Sequence, residues 1–155
     1  MTSTILICTD GSDHAIAAIE VGLPRLATHD RIVLATVLDT LDESLVTGVS
    51  GFGAGSITPE QYAQLDRQRR RDAVDLLADT TRRCGLDHDV ETVLLEGAPG
   101  AAICDAATEL RADVIVMGSR GRGGLRRAVL GSVSDHVIRH APCPVLITNV
   151  HHDDD

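Results

Sequence analysis

The sequence predicts an α/β domain in which helices cover both faces of a parallel sheet. Short apolar runs alternate with longer stretches of 3–4-residue apolar spacing, the pattern of repeated strand–helix units. Two of those runs, Ile5-Leu6-Ile7-Cys8 and Val114-Ile115-Val116-Met117, are continuously apolar. Strands buried on both faces read this way, so these two are expected at the centre of the sheet. With 155 residues and 43% hydrophobic content, the chain suits one domain with a buried core.

The first strand is expected at Thr4 to Cys8, followed by a helix from about Asp13 with Ile16, Ile19, Leu23 and Leu26 on one side. Pro24 falls inside that pattern and should kink or end the helix. Arg31 to Leu38 reads as the second strand. Asp39 to Ser56 holds Gly48, Gly51, Gly53 and Gly55 without a sustained period, and is a long loop for a compact domain. We expect it to cover a bound ligand.

Thr58-Pro59-Glu60-Gln61 announces the next helix: a capping threonine, proline at the first helical position and a glutamine that completes a capping box. Its apolar stripe runs through Tyr62, Leu65, Ala73, Leu76 and Leu77, interrupted by Arg69, Arg70 and Arg71, which read as a solvated face. Gly85 closes it. A third strand follows from Val90 to Leu95, then a small-residue helix opened by Gly97-Ala98-Pro99 and continuing to Leu110. The fourth strand spans Asp113 to Met117. A glycine-rich segment runs from Gly118 to Gly131, a short helix from Ser132 to His140, and a fifth strand from Val145 to Thr148.

Composition excludes several classes of function. Aromatics are 1% of the chain, too few for the stacking platforms of single-strand nucleic-acid binders. A formal charge of −9 has the wrong sign for a phosphate-backbone binder, so no nucleic-acid partner is expected. All 14 basic residues are arginine, which removes lysine-dependent P-loops, Schiff-base chemistry and a kinase-type lysine together. An acidic, lysine-free surface suits high salt, and a GC-rich genome would give the same arginine bias; both readings stand. Cys8, Cys84, Cys104 and Cys143 form no C-x-x-C pair and read as buried hydrophobes of a reducing compartment. With no signal-peptide pattern and no apolar run of about 18 residues, a cytoplasmic protein without a membrane span is expected. Residues 1–150 are expected to be the domain and 151–155 an acidic tail.

Ligands of an open parallel sheet bind beyond the carboxyl ends of its strands, where strand order reverses. Three polar or glycine-rich segments leave strands there: Thr9-Asp10-Gly11-Ser12, the loop after Val37, and the segment from Gly118. The last reads Gly118-Ser119-Arg120-Gly121, nine residues, then Gly131-Ser132-Val133-Ser134 at a helix start. Glycines let backbone N–H groups approach an anion, and a helix N-terminus adds unpaired N–H groups and partial positive charge. This is a phosphate cradle that needs no lysine. Asp10 could instead cap the first helix, or do both. His136 and His140, one turn apart, lack an evident third metal ligand and read as a surface pair.

The pattern Gly118-x-x-Gly121-(nine residues)-Gly131-Ser132 resembles the nucleotide-binding motif of the universal stress protein family, and the resemblance extends over essentially the whole chain. It implies a Rossmann-like five-stranded parallel sheet in the order 3-2-1-4-5, and it places the protein in the ATP-binding branch. Carried across, it implies that Thr9 and Asp10 contact the adenosine end, that Val37 meets adenine through its backbone, and that Met117 and Gly118 line the ribose and adenine side. Gly121, Gly131, Ser132, Val133 and Ser134 would hold phosphates, with Arg120 at a variable position of the motif and Mg²⁺ accompanying the ATP. A homodimer through Val145–Thr148 is also implied. The function so implied is a nucleotide-dependent stress-response switch with little or no ATP turnover. The alternatives are a homodimeric scaffold that does not use nucleotide, and a slow ATPase.

Overall fold

In the computed structural model the described residues are 3–26, 30–38, 40–41, 57–86, 90–119 and 130–148. Five strands form one sheet: β1 (Thr4–Cys8), β2 (Arg31–Leu38), β3 (Glu91–Glu96), β4 (Val114–Gly118) and β5 (Val145–Thr148). Their order is β3-β2-β1-β4-β5, and every pairing is parallel. The expected order and the central placing of β1 and β4 are both observed. The cause is burial: all five residues of β1 are buried, as a central strand covered on both faces requires.

Because side chains alternate along a strand, two separate cores form. On one face Leu6, Cys8, Val33, Ala35, Ile115 and Met117 pack against Ile103, Cys104 and Ala107 of helix α3 (Pro99–Glu109) and Val137 of α4 (Ser132–His140). On the other, Ile5, Ile7, Leu34 and Val116 pack against Ile19 of α1 (Asp13–Gly22) and Leu77 of α2 (Pro59–Arg83). Fully burying each Ile, Leu or Val contributes about 1.5–3 kcal/mol, so aliphatic layers alone can hold this aromatic-poor domain.

Helix boundaries follow local chemistry. α1 ends at Gly22 and continues as a 3-10 turn, Leu23–Arg25, because Pro24 cannot donate into an α-helical ladder. Glycine at position 22 also permits close packing, since a Cβ there would lie 3.2 Å from Thr148 and Val116 side chains. Thr148 Oγ1 donates to the Ala18 carbonyl at 2.9 Å, pinning α1 over β5. α2 starts with the expected capping box: Gln61 N–H donates to Thr58 Oγ1 and Thr58 N–H to Gln61 Oε1. Its inward stripe is Ala73, Leu77 and Thr80; Leu65, expected on that stripe, is 43% exposed. The amino ends of β1 and β4 are clamped together, Thr4 N–H donating to Asp113 Oδ2 and Asp113 N–H to the Thr4 carbonyl.

Candidate nucleotide site at the carboxyl ends of β1 and β4

Strand order reverses between β1 and β4, since the connection after β1 leads to β2 on one side and β4 pairs on the other. The turn leaving β1 is held by its own polar groups. Thr9 N–H donates to the Ala35 carbonyl at 2.9 Å, and Gly11 N–H to Thr9 Oγ1 at 3.0 Å. Asp10 Oδ1 accepts from both the N–H and the hydroxyl of Ser12, at 3.0 and 2.6 Å. Ser12 in turn caps α1 by accepting from Ala15 N–H. Asp10 therefore does not cap the helix itself; it orients the serine that does.

Gly11 has φ +74°, where an L side chain is strained, and a Cβ there would lie 2.6 Å from Leu76 Cγ of α2. Residue 11 must be glycine for α2 to close over this turn.

The second half of the site is built around Ser119, a residue to which the sequence alone assigned no role. Its N–H donates to the Thr148 carbonyl, fixing it beside β5. Its carbonyl accepts from Gly131 N–H at 2.8 Å and from Ser134 Oγ at 2.9 Å. These bonds join the two ends of the glycine-rich segment, bringing Gly118 at the tip of β4 to the first turn of α4. Ser134, 2% exposed, spends its hydroxyl proton on this junction, so its hydroxyl holds the frame. No sequence signal distinguishes Ser119 from an ordinary loop serine; only the carbonyl geometry does.

The N-cap of α4 is Gly131, which has extended backbone and supplies no side-chain cap. The first N–H groups of any helix lack intrahelical acceptors, and in α4 these include those of Ser132 and Val133. Ser132 is exposed, and Val133 packs partly against the core. Met117 is buried beside Cys8, its register partner, while Val37 is half-buried at the end of β2. The structure thus brings Thr9, Asp10, Met117, Gly118, Gly131, Ser132, Val133 and Ser134 to one end of the sheet, with Val37 on the adjacent strand. Arg120, Gly121 and nearly all of the Asp39–Ser56 loop lie outside the described residues.

Charged and nucleophilic groups here are restrained. Asp135, in the first turn of α4, is hydrogen-bonded twice by Arg139, which holds its carboxyl below the usual range. Burial pushes the Cys8 thiol up to about 12, with Cys104 and Cys143 adding to the effect, so it is not a nucleophile near neutral pH. Among the described residues no group of three or more His, Cys, Asp or Glu side chains could hold a metal ion, and no helix is long and apolar enough to cross a membrane.

The sequence profile of the universal stress protein family matches residues 1–149. The chain belongs to that family. It is 33% identical over 143 residues to a universal stress protein of Methanocaldococcus jannaschii, covering 92% of this chain and 79% of the relative. It is also 33% identical over 152 residues to one of Thermus aquaticus, covering 95% and 98%. Among solved structures, a universal stress protein in complex with cAMP superimposes with a TM-score of 0.55 at 24% identity, covering 97% of this chain and 98% of that one. A family member of Arabidopsis thaliana with AMP bound gives 0.60 at 18% identity, covering 98% and 94%. At these identities the two structures establish the shared fold.

Proposed function

We propose that this universal stress protein binds an adenine nucleotide, ATP with Mg²⁺ in particular, and acts as an occupancy-dependent switch in the stress response. The observation that carries the reading is the junction at Ser119. It holds the carboxyl end of β4 against a helix N-terminus without a side-chain cap at the point of strand-order reversal, the place and chemistry a phosphate requires. The cAMP- and AMP-bound family members support adenine as the base.

In this reading the N–H groups of Ser132, Val133 and Ser134 and the Ser132 hydroxyl hold phosphate, joined by Gly121 and Arg120. Thr9, Asp10, Val37, Met117 and Gly118 hold the adenosine. Mg²⁺ would arrive with the nucleotide and add to the neutralisation of phosphate charge that the backbone donors and Arg120 supply.

Turnover should be slow. Phosphoryl transfer needs a positioned nucleophile and strong charge neutralisation, while Asp10 is committed to Ser12 and lies at the adenosine end. Binding ground and transition states alike gives occupancy without rate. Native mass spectrometry of gently purified protein tests the reading. Co-purified ATP or AMP is expected. Protein that is empty and remains so with added ATP would instead be the nucleotide-free scaffold.

The scaffold alternative and the switch share one feature, a homodimer formed through β5. β3, at one edge of the sheet, carries Glu91 and Glu96, charges that discourage pairing. β5, at the other, is Val145-Leu146-Ile147-Thr148 with no charge, the edge suited to a second copy.

A further inference from the structure

Ile138 is the large apolar side chain that α4 leaves exposed, at 47%, while its neighbour Val137 is fully buried. Contacts on α4 settle where it faces. A Cβ on Gly100, the second residue of α3, would lie 2.7–2.8 Å from atoms of His136, so the His136 flank of α4 meets α3. Successive helical residues turn by about 100°, which puts Ile138 on the opposite flank, with Val137 between the two facing the sheet. Helix α3 packs over β2 and β3, and α4 over β5. The flank away from α3 therefore borders the open edge of the sheet.

Beside Ile138 that border is formed by β5, whose four residues carry no charge and whose first three are only half-buried. Val145 and Ile147 lie on the α4 side of the sheet. Asp135 and Arg139 of α4 are paired with each other. A two-fold contact sets a patch against its own copy, so a charged patch repels itself and a neutral apolar one is self-complementary. For a chain of net charge −9, this flank suits the approach of a second copy.

The same elements frame the proposed phosphate site. Ser119 N–H donates to the Thr148 carbonyl of β5, and the Ser119 carbonyl accepts from Gly131 N–H and Ser134 Oγ at the start of α4. Ile138 lies six residues beyond Ser132, about 9 Å along one rigid helix. We propose that a second copy of this chain seats on Ile138 as well as on β5, and that through α4 and Ser119 this contact and nucleotide occupancy strengthen each other. The proposal rests on the dimer and phosphate readings above. Pairing holds β5 and α4 together, and phosphate orders the first turn of the same helix, so the two events share one ordering cost. Linkage then makes the effect reciprocal: what tightens the dimer on ATP binding tightens ATP on dimerisation.

The test is sedimentation equilibrium with and without ATP and Mg²⁺, and calorimetric titration with ATP, on the parent, Ile138→Ala, Ile138→Glu and Val74→Glu. Urea melts check that each is folded. Burying half an isoleucine twice, by symmetry, is worth roughly tenfold or more in dimer Kd, and Ile138→Ala should weaken the dimer by about that much. Ile138→Glu sets like charges across the two-fold and should be monomeric at micromolar concentration. Val74→Glu alters an aliphatic side chain of α2 that is 57% exposed and away from this edge, and should dimerise like the parent. ATP should tighten the parent's dimer roughly fivefold or more, and monomeric Ile138→Glu should bind ATP correspondingly more weakly. Folded Ile138 variants that dimerise like the parent overturn the seat on α4 and leave the β5 pairing standing. A monomeric Ile138→Glu that binds ATP like the parent, or a parent dimer that ATP does not tighten, overturns the coupling. A monomeric parent overturns the dimer reading with the proposal, and a parent that never binds ATP overturns the nucleotide reading with it.

Discussion

Thr80 is the one described residue whose buried side-chain oxygen lacks a hydrogen-bond partner. It is fully buried on the inward stripe of α2. Valine has the same shape and the same β-branched stiffness, so Thr80→Val removes the desolvation cost and little else. We predict a gain of about 1–2 kcal/mol, read from urea denaturation; equal or lower stability would show that the hydroxyl is satisfied. Cys8 gives a pH dependence. Its folded-state thiol is pushed to about 12 from an ordinary value of 9.0, so between those values the unfolded chain releases a proton that the folded chain keeps. This contribution is level below pH 9 and destabilises increasingly as pH rises toward 12. Cys8→Ala should flatten the loss in urea melts followed from pH 8 to 10.5, and an unchanged slope would refute the linkage. Residue types in the motif were legible in the sequence, and their division of labour was not. The motif assigns Ser134 to phosphate without saying by which atom, and its hydroxyl bonds the Ser119 carbonyl. Backbone acceptors leave no trace in residue identity.

At the scale of elements, local signals gave boundaries reliably where chemistry enforces them. The Thr58–Gln61 capping box and the proline after α1 fall where expected, while β3 and β4 each begin one residue later than the apolar pattern suggested. The exception is the stripe of α2. Its 25 residues span about 37 Å at helical rise, whereas the longest strand has 8 residues, or about 26 Å. The helix is longer than any strand beneath it, and Leu65 near its start is left 43% exposed. Spacing shows which face is apolar, but not where the sheet beneath it stops. Helix-to-helix fit was equally illegible, and it yields a prediction. Gly100→Ala drives a methyl into His136 and should cost about 1–3 kcal/mol. Adding His136→Ala should recover much of that cost in a double-mutant cycle. Strict additivity of the two substitutions would mean that α3 and α4 do not meet through this pair.

For the whole molecule, a parallel sheet with β1 and β4 at its centre was legible from strands that are short, apolar and separated by helices, whereas the order 3-2-1-4-5 was legible only through the family resemblance. Assembly is less legible, since an uncharged edge states only that something can pair there. We predict sedimentation as a dimer of 16.4 kDa chains at micromolar concentration. High salt should not dissociate it, because an apolar strand edge gains nothing from long-range charge; a clean monomer at high salt would contradict the β5 interface. Nor does the net charge of −9 oppose nucleotide binding in salt, where fields fade over about 8 Å at 0.15 M and local donors prevail. The central claim is that Gly131 opens a backbone cradle for phosphate, and calorimetric titration of parent and Gly131→Val with ATP tests it most directly. We predict that the parent binds and that the variant, with its cooperative unfolding transition retained, binds roughly 100-fold more weakly. A folded Gly131→Val protein that binds ATP like the parent would contradict the claim.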